Sequence, residues 1–237
     1  MSKLTKLVCV IGLAAIVSGC SSVRGNGESS TELREADSFS KVSMEGAYTS
    51  VIQVGEPASL SITADQNLQQ YISSSVSSDR LSIKSKRDIS SVTDVVLDIS
   101  TPTLNELKLS GSSDVVVYGK ITDSLNSKIS GSGSIIFSEV DVDDLSLRIS
   151  GSGDIETSGY AESLTVSISG SSDLDLSDLN VKSAIVDISG SGSVILGTVD
   201  SLEVDISGSG KMTYLGATML NSHISGSGSV NARSAQE

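Results

Sequence analysis

Few residue types in this chain could do chemistry, and their spacing narrows what that chemistry is. Cys20 follows Val17-Ser18-Gly19, with Lys3, Lys6 and an apolar run from Leu7 to Val17 upstream. Basic, apolar and small-residue parts in that order make a secretory signal. A plain signal is cut after small residues and has no use for a cysteine at the next position. A lipoprotein signal needs one, because the thiol takes up diacylglycerol and then becomes the new N-terminus. The third residue before the cysteine is Val17, where such signals usually carry Leu. The eleven residues from Leu7 to Val17 fall short of the ~20 that a membrane-spanning helix requires. Residues 1–19 are therefore expected to be removed, and Cys20 to carry the lipid that holds the protein to a membrane. Ser21 is not Asp, which under the enterobacterial sorting pattern favours the outer membrane, with the protein facing the periplasm or the cell surface.

The other reactive groups do not combine into a catalytic set. His223 is the sole histidine, and Cys9 would leave with the signal. A nucleophilic triad or a zinc site cannot be built from one histidine and one lipid-bearing cysteine. No metal ligand set, cofactor or intrachain disulfide is expected. Two acidic groups remain. Asp141, Asp143 and Asp144 lie in what reads as an inter-strand turn, and Asp173, Asp175 and Asp178 form a second set. Paired carboxylates can cleave glycosides, so a polysaccharide-active enzyme is one alternative. Sugar-cleaving sites also want aromatic platforms, and the chain has no Trp, two Phe and five Tyr. Loss of Lys3 and Lys6 moves the net charge from −13 to −15. An acidic chain without a basic run or stacking aromatics is not a nucleic-acid binder.

Serine is the abundant reactive type, and its spacing is regular. An apolar-Ser-Gly-Ser-(Gly/Ser) unit begins at Leu109, Ile129, Ile149, Ile168, Ile188, Ile206 and Ile224, at intervals of 18–20 residues. Two outward columns follow, one through Ser130, Ser150, Ser169 and Ser189, the other through Ser132, Ser152, Ser171 and Ser191. Beside them runs Lys108, Lys128, Arg148, Ser167, Asp187, Asp205, His223, basic at one end and acidic at the other. The lattice of hydroxyls could be a contact face. It could equally reflect small residues in tight bends, hydrogen-bonded to one another or to the backbone. The glycines do not match a phosphate loop, which needs Lys and a following helix. Nor do they match a calcium-binding nonapeptide, whose period is half as long. They read as backbone positions where the chain bends or layers approach closely.

These columns require elements that stack. Fixed self-similarity near twenty residues means a solenoid. Within each unit the apolar residues alternate, as in Leu145-Ser-Leu147-Arg-Ile149 and Leu164, Val166, Ile168. That period of two is a strand whose odd or even side chains face one way. Stacked coils then place Ile on Ile inside and serines outside, and each coil relies on its neighbours for burial. Residues 20–36 are polar and read as a flexible tether. Strands begin at about Phe39, interrupted by Asp65–Ile72, where Leu68, Tyr71 and Ile72 are spaced as in a short helical turn. The fold expected is all-β, a single right-handed parallel β-helix over residues 37–237 with 18–20-residue coils, clearest over 109–230.

The chain from Phe39 to Val230 resembles the adhesin family of exported bacterial proteins that carries the head-GIN domain. The likeness rests on Phe39-Ser-Lys-Val-Ser-Met-Glu-Gly46, on Asp65-Gln-Asn67-Leu68 followed by Leu81-Ser-Ile83, and on the serial Ser-Gly-Ser-Gly units. The tripeptide Gly-Ile-Asn itself is absent. The resemblance implies a right-handed β-helix and a role in attachment, without assigning a ligand. The expectation is a non-enzymatic, lipid-anchored envelope protein that binds a glycan, matrix or envelope protein, with an envelope-structural or stress-associated lipoprotein as the alternative.

Overall fold

The computed structural model describes residues 22–233, so Cys20 and the signal lie outside the described residues. Seventeen strands follow in order: β1 Val23–Arg24, β2 Ser29–Arg34, β3 Lys41–Gly46, β4 Thr49–Val54, β5 Ser59–Asp65, β6 Ile72–Ser77, β7 Arg80–Ser85, β8 Ile89–Ser90 and β9 Val96–Thr101. Then come β10 Glu106–Gly111, β11 Asp114–Gly131, β12 Ser134–Gly151, β13 Asp154–Gly170, β14 Asp173–Gly190, β15 Ser193–Gly208, β16 Lys211–Gly226 and β17 Ser229–Arg233. From β10 onward each strand pairs in parallel with its successor, which makes the β-solenoid. The repeat sets the register. Met44, Leu109, Ile129, Ile149, Ile168, Ile188 and Ile206 stack directly on one another. All seven are buried, and each isoleucine so buried contributes roughly 1.5–3 kcal/mol relative to exposure.

Parity is broken where the coil turns. Gly151 and Gly170 have φ of +134° and +139°. A Cβ on Gly170 would lie 2.0 Å from the carbonyl oxygen of Gly151 one coil away. That carbonyl accepts the Ser171 N–H at 3.0 Å. Gly170 is half-buried at this corner. The expected close approach of layers is thus confirmed, but the glycine is fixed by its positive φ and by backbone contact rather than by an inward side. The core also admits serine. Ser113, Ser127 and Ser172 are buried, and the Ser127 hydroxyl has no hydrogen-bond partner.

The N-terminal end departs from a simple parallel helix. Two sheet paths meet there, β6-β7-β3-β10 and β2-β5-β9-β4-β11, and the pairs β6/β7, β2/β5 and β5/β9 are antiparallel. A two-residue turn at Ser78-Asp79, both with positive φ, joins β6 to β7, the mirror-image turn whose twist suits a hairpin. The helical turn expected in 65–72 is a 3-10 turn at Gln69–Tyr71. The flexible tether expected over 20–36 is corrected. β1 pairs with β8 and β2 pairs with β5, so residues 23–34 are built into the end of the solenoid. The EVDVDD segment is likewise no turn. It lies within β12, with Val140 and Val142 buried and Asp141, Asp143 and Asp144 exposed.

Candidate binding surface

The strand register assembles both serine columns. Ser110, Ser130, Ser150, Ser169, Ser189, Ser207 and Ser225 are successive partners on β10 to β16. The second column holds its spacing through the backbone: Ser132, Ser152, Ser171 and Ser191 each donate their N–H to the glycine carbonyl one coil back, at 2.9–3.0 Å. Ser132, Ser150, Ser152, Ser169, Ser171, Ser189 and Ser191 are exposed, and Ser130 is half-buried. The charged column is continuous as well, from Lys108 through Lys128, Arg148, Ser167, Asp187 and Asp205 to His223.

After the second serine an inward small residue (Gly133, Gly153, Ser172 or Gly192) carries the chain round the corner onto the next face. There the outward positions form two further columns that alternation alone does not show to be concave. Ile136, Glu156, Asp175 and Ile195 are in register on β12 to β15. Ser134, Asp154, Asp173 and Ser193 run parallel to them, and Asp154 accepts the Asp173 N–H at 3.0 Å. Together they line a groove of about 540 Å³ that crosses four coils. A smaller hollow of about 180 Å³ adjoins it, edged by Ser138, Ser158, Ser177 and Asp178. Asp173, Asp175 and Asp178, one of the two acidic groups of the sequence, are therefore brought to one groove system. Asp141 is not, since it pairs with Lys120 at 2.7 Å on another face.

The groove offers four carboxylates, Asp154, Glu156, Asp173 and Asp175, between two isoleucines, with Ile136 39% exposed. Exposed carboxylates accept hydrogen bonds from hydroxyls or cations, and the isoleucines provide apolar floor for a flat ligand face. The serine corner adds donors and acceptors along one edge. Ile136 and Ile195 have a sequence signal: Ser134-Ile-Ile-Phe137 and Val194-Ile-Leu196 put apolar residues at outward positions where the alternation asks for polar ones. Among the described residues, no group of three or more His, Cys, Asp or Glu is arranged to hold a metal ion.

A parallel β-solenoid with an extended open groove and a stacked hydroxyl corner belongs to the class of elongated repeat scaffolds. Residues 38–218 match the family described as putative auto-transporter adhesin, head GIN domain, and the chain belongs to that family. Its fold is similar to a putative adhesin from Bacteroides fragilis, with a TM-score of 0.84 at 18% identity, covering 89% of this chain and all of that one. It is also similar to a putative lipid binding protein from Parabacteroides distasonis (TM-score 0.72, 23% identity, 90% and 100% covered). A putative adhesin from Parabacteroides merdae gives a TM-score of 0.72 at 24% identity, covering 89% of this chain and 98% of that one. No curated protein matches the chain.

Proposed function

We propose that this protein is a lipid-anchored, non-enzymatic adhesion protein of the cell envelope that holds an extended glycan along the groove of β12 to β15. The observation that carries this reading is the groove itself. It is open along its length and crosses four coils, as a linear polymer requires, and it offers carboxylates and serine hydroxyls in repeating rows. Hydroxyl-rich chains are recognised by such repeated acceptors together with small apolar contacts. Matrix or envelope proteins bearing exposed amines fit the same rows less specifically. Anchoring through Cys20 would place the scaffold on the outer membrane.

Binding to a glycan array and attachment to matrix-coated surfaces test the proposal. Glu156→Lys with Asp175→Lys should reduce binding at least tenfold, because two long cations fill the groove. Ser150→Lys with Ser171→Lys should weaken it less, by crowding the adjoining edge. Glu162→Gln, which breaks an exposed pair with Lys182 elsewhere on the surface, should leave binding intact. Equal retention in all variants would overturn the assignment of the groove, and release of a shortened sugar from any glycan would overturn the non-enzymatic reading.

A further inference from the structure

The two ends of the solenoid are finished differently. At the N-terminal end, hairpin β6/β7 and strand β2 cover the first coil. At the other end β17 covers only Lys211–Leu215 of β16. Among the described residues, Leu220–Gly226 of β16 is paired on one side only, to β15. Leu220 is 46% and Ile224 40% exposed, whereas their partners one coil back, Leu202 and Ile206, are sealed. An edge strand with open N–H and C=O groups and apolar side chains is a template for another strand.

We infer that a second copy of this chain occupies this edge, the two β16 strands pairing antiparallel about a two-fold axis at Ser222. The sequence is self-complementary about that point. Leu220 of one copy faces Ile224 of the other, Asn221 faces His223, and Ser222 faces Ser222. Shifting the axis to residue 221 or 223 sets an apolar residue against Ser222 instead. The same patch on both partners is what a closed two-fold interface demands. Charge agrees with it. In a chain of net charge −13, residues 206–233 contain no Asp or Glu, and carry Lys211, His223 and Arg233. The open end is thus the part of the solenoid where two acidic copies meet without carboxylate repulsion, while β15 just behind it carries Asp200, Glu203 and Asp205.

The test uses the chain from residue 21 onward, which holds all seventeen strands and, lacking Cys9 and Cys20, has no cysteine. Analytical ultracentrifugation at ~100 µM, a range that detects micromolar pairing, should give the mass of a dimer. Antiparallel partners have Cα atoms about 4.5–5.5 Å apart, within the about 4.4–6.8 Å that a disulfide spans. Ser222→Cys should therefore oxidise to a covalent dimer, and Ser189→Cys, on the serine corner of β14, should pair without forming the disulfide. Asn221→Glu with His223→Glu sets carboxylates opposite each other at exposed positions and should weaken pairing at least tenfold with an unchanged melt. A wild-type monomer at that concentration, or equal cross-linking of the two cysteine variants, would overturn the inference. So would a full-length monomer that dimerises only when residues 234–237 are removed, since that tail would then be the occupant.

Discussion

Gly170 and Ser171 are adjacent, yet the structure gives them opposite tolerance. Any side chain at Gly170 combines an unfavourable φ with a backbone clash against Gly151. Gly170→Ala should cost about 1–3 kcal/mol, whereas Ser171→Ala, at an exposed site, should stay within about 0.5 kcal/mol. Urea denaturation of the two variants checks the order, and a more stable Gly170→Ala would show that the corner relaxes. The residue scale is also where sequence reading went furthest. The alternation Leu145, Leu147, Ile149 identified the core column and the outward serines without knowledge of the coil shape. The same parity places Ser127 inward, between Leu125 and Ile129, but its hydroxyl interrupts the apolar alternation by which the column is recognised.

Among the elements, the N-terminal cap is held by ionised side chains where the coils are held by aliphatic ones. Asp65 is buried, which pushes its carboxyl up, but N–H groups of Val92, Thr93 and Gly27 and the Ser91 hydroxyl outweigh this and hold it below the usual carboxylate range. Asp79 is lowered chiefly by the Ser40 hydroxyl and Glu106 chiefly by Arg80. A depressed folded pKa contributes stability above the ordinary carboxylate value of about 4, and that stability is lost as pH falls through the lowered value. Below about pH 4 the cap should therefore open before the coils. Amide exchange should quicken first in β1, β2 and the β6/β7 hairpin. Asp65→Asn should exchange quickly there already at neutral pH, and uniform exchange across the molecule would contradict this.

The cap was the least legible part of the fold, for a physical reason. β2, Ser-Ser-Thr-Glu-Leu-Arg, is exposed along nearly its whole length, with Leu33 84% exposed. It is a strand through its backbone pairing to β5, and backbone pairing leaves no pattern of apolar residues to read. The groove was hidden differently. Its residues sit in four separate repeats, and their convergence depends on how the corners curve. Only the outward Ile136 and Ile195, breaking the alternation, hinted that this face differs from the others.

At the scale of the whole molecule, attachment through Cys20 predicts a simple separation. Cys20→Ala should leave the protein soluble and unlabelled by a fatty-acid analogue, while wild type is membrane-bound and labelled. Equal labelling of the two would exclude the lipid anchor. The fold should be unaffected, since the buried core of the described residues runs from Phe39 to Tyr214.

The seating of residues 23–28 sets how force would travel through such an anchored protein. Asn67 accepts the Asn26 N–H at 3.0 Å and donates to the Arg24 carbonyl at 2.8 Å. Asp65 grips Gly27, and the Gln66 N–H reaches the Glu28 carbonyl at 2.7 Å. The Asp65-Gln-Asn67 motif is thus a fastening for the segment that leads to Cys20. If Cys20 carries the lipid, a tug on a polymer lying in the groove would pass through β12, β11 and the cap before it reached the anchor. The weakest joint on that path is the two-residue pairing of β1 with β8 and the polar clasp around Asp65, and a load exceeding its strength would free a length of leash while the grip on the polymer stayed intact.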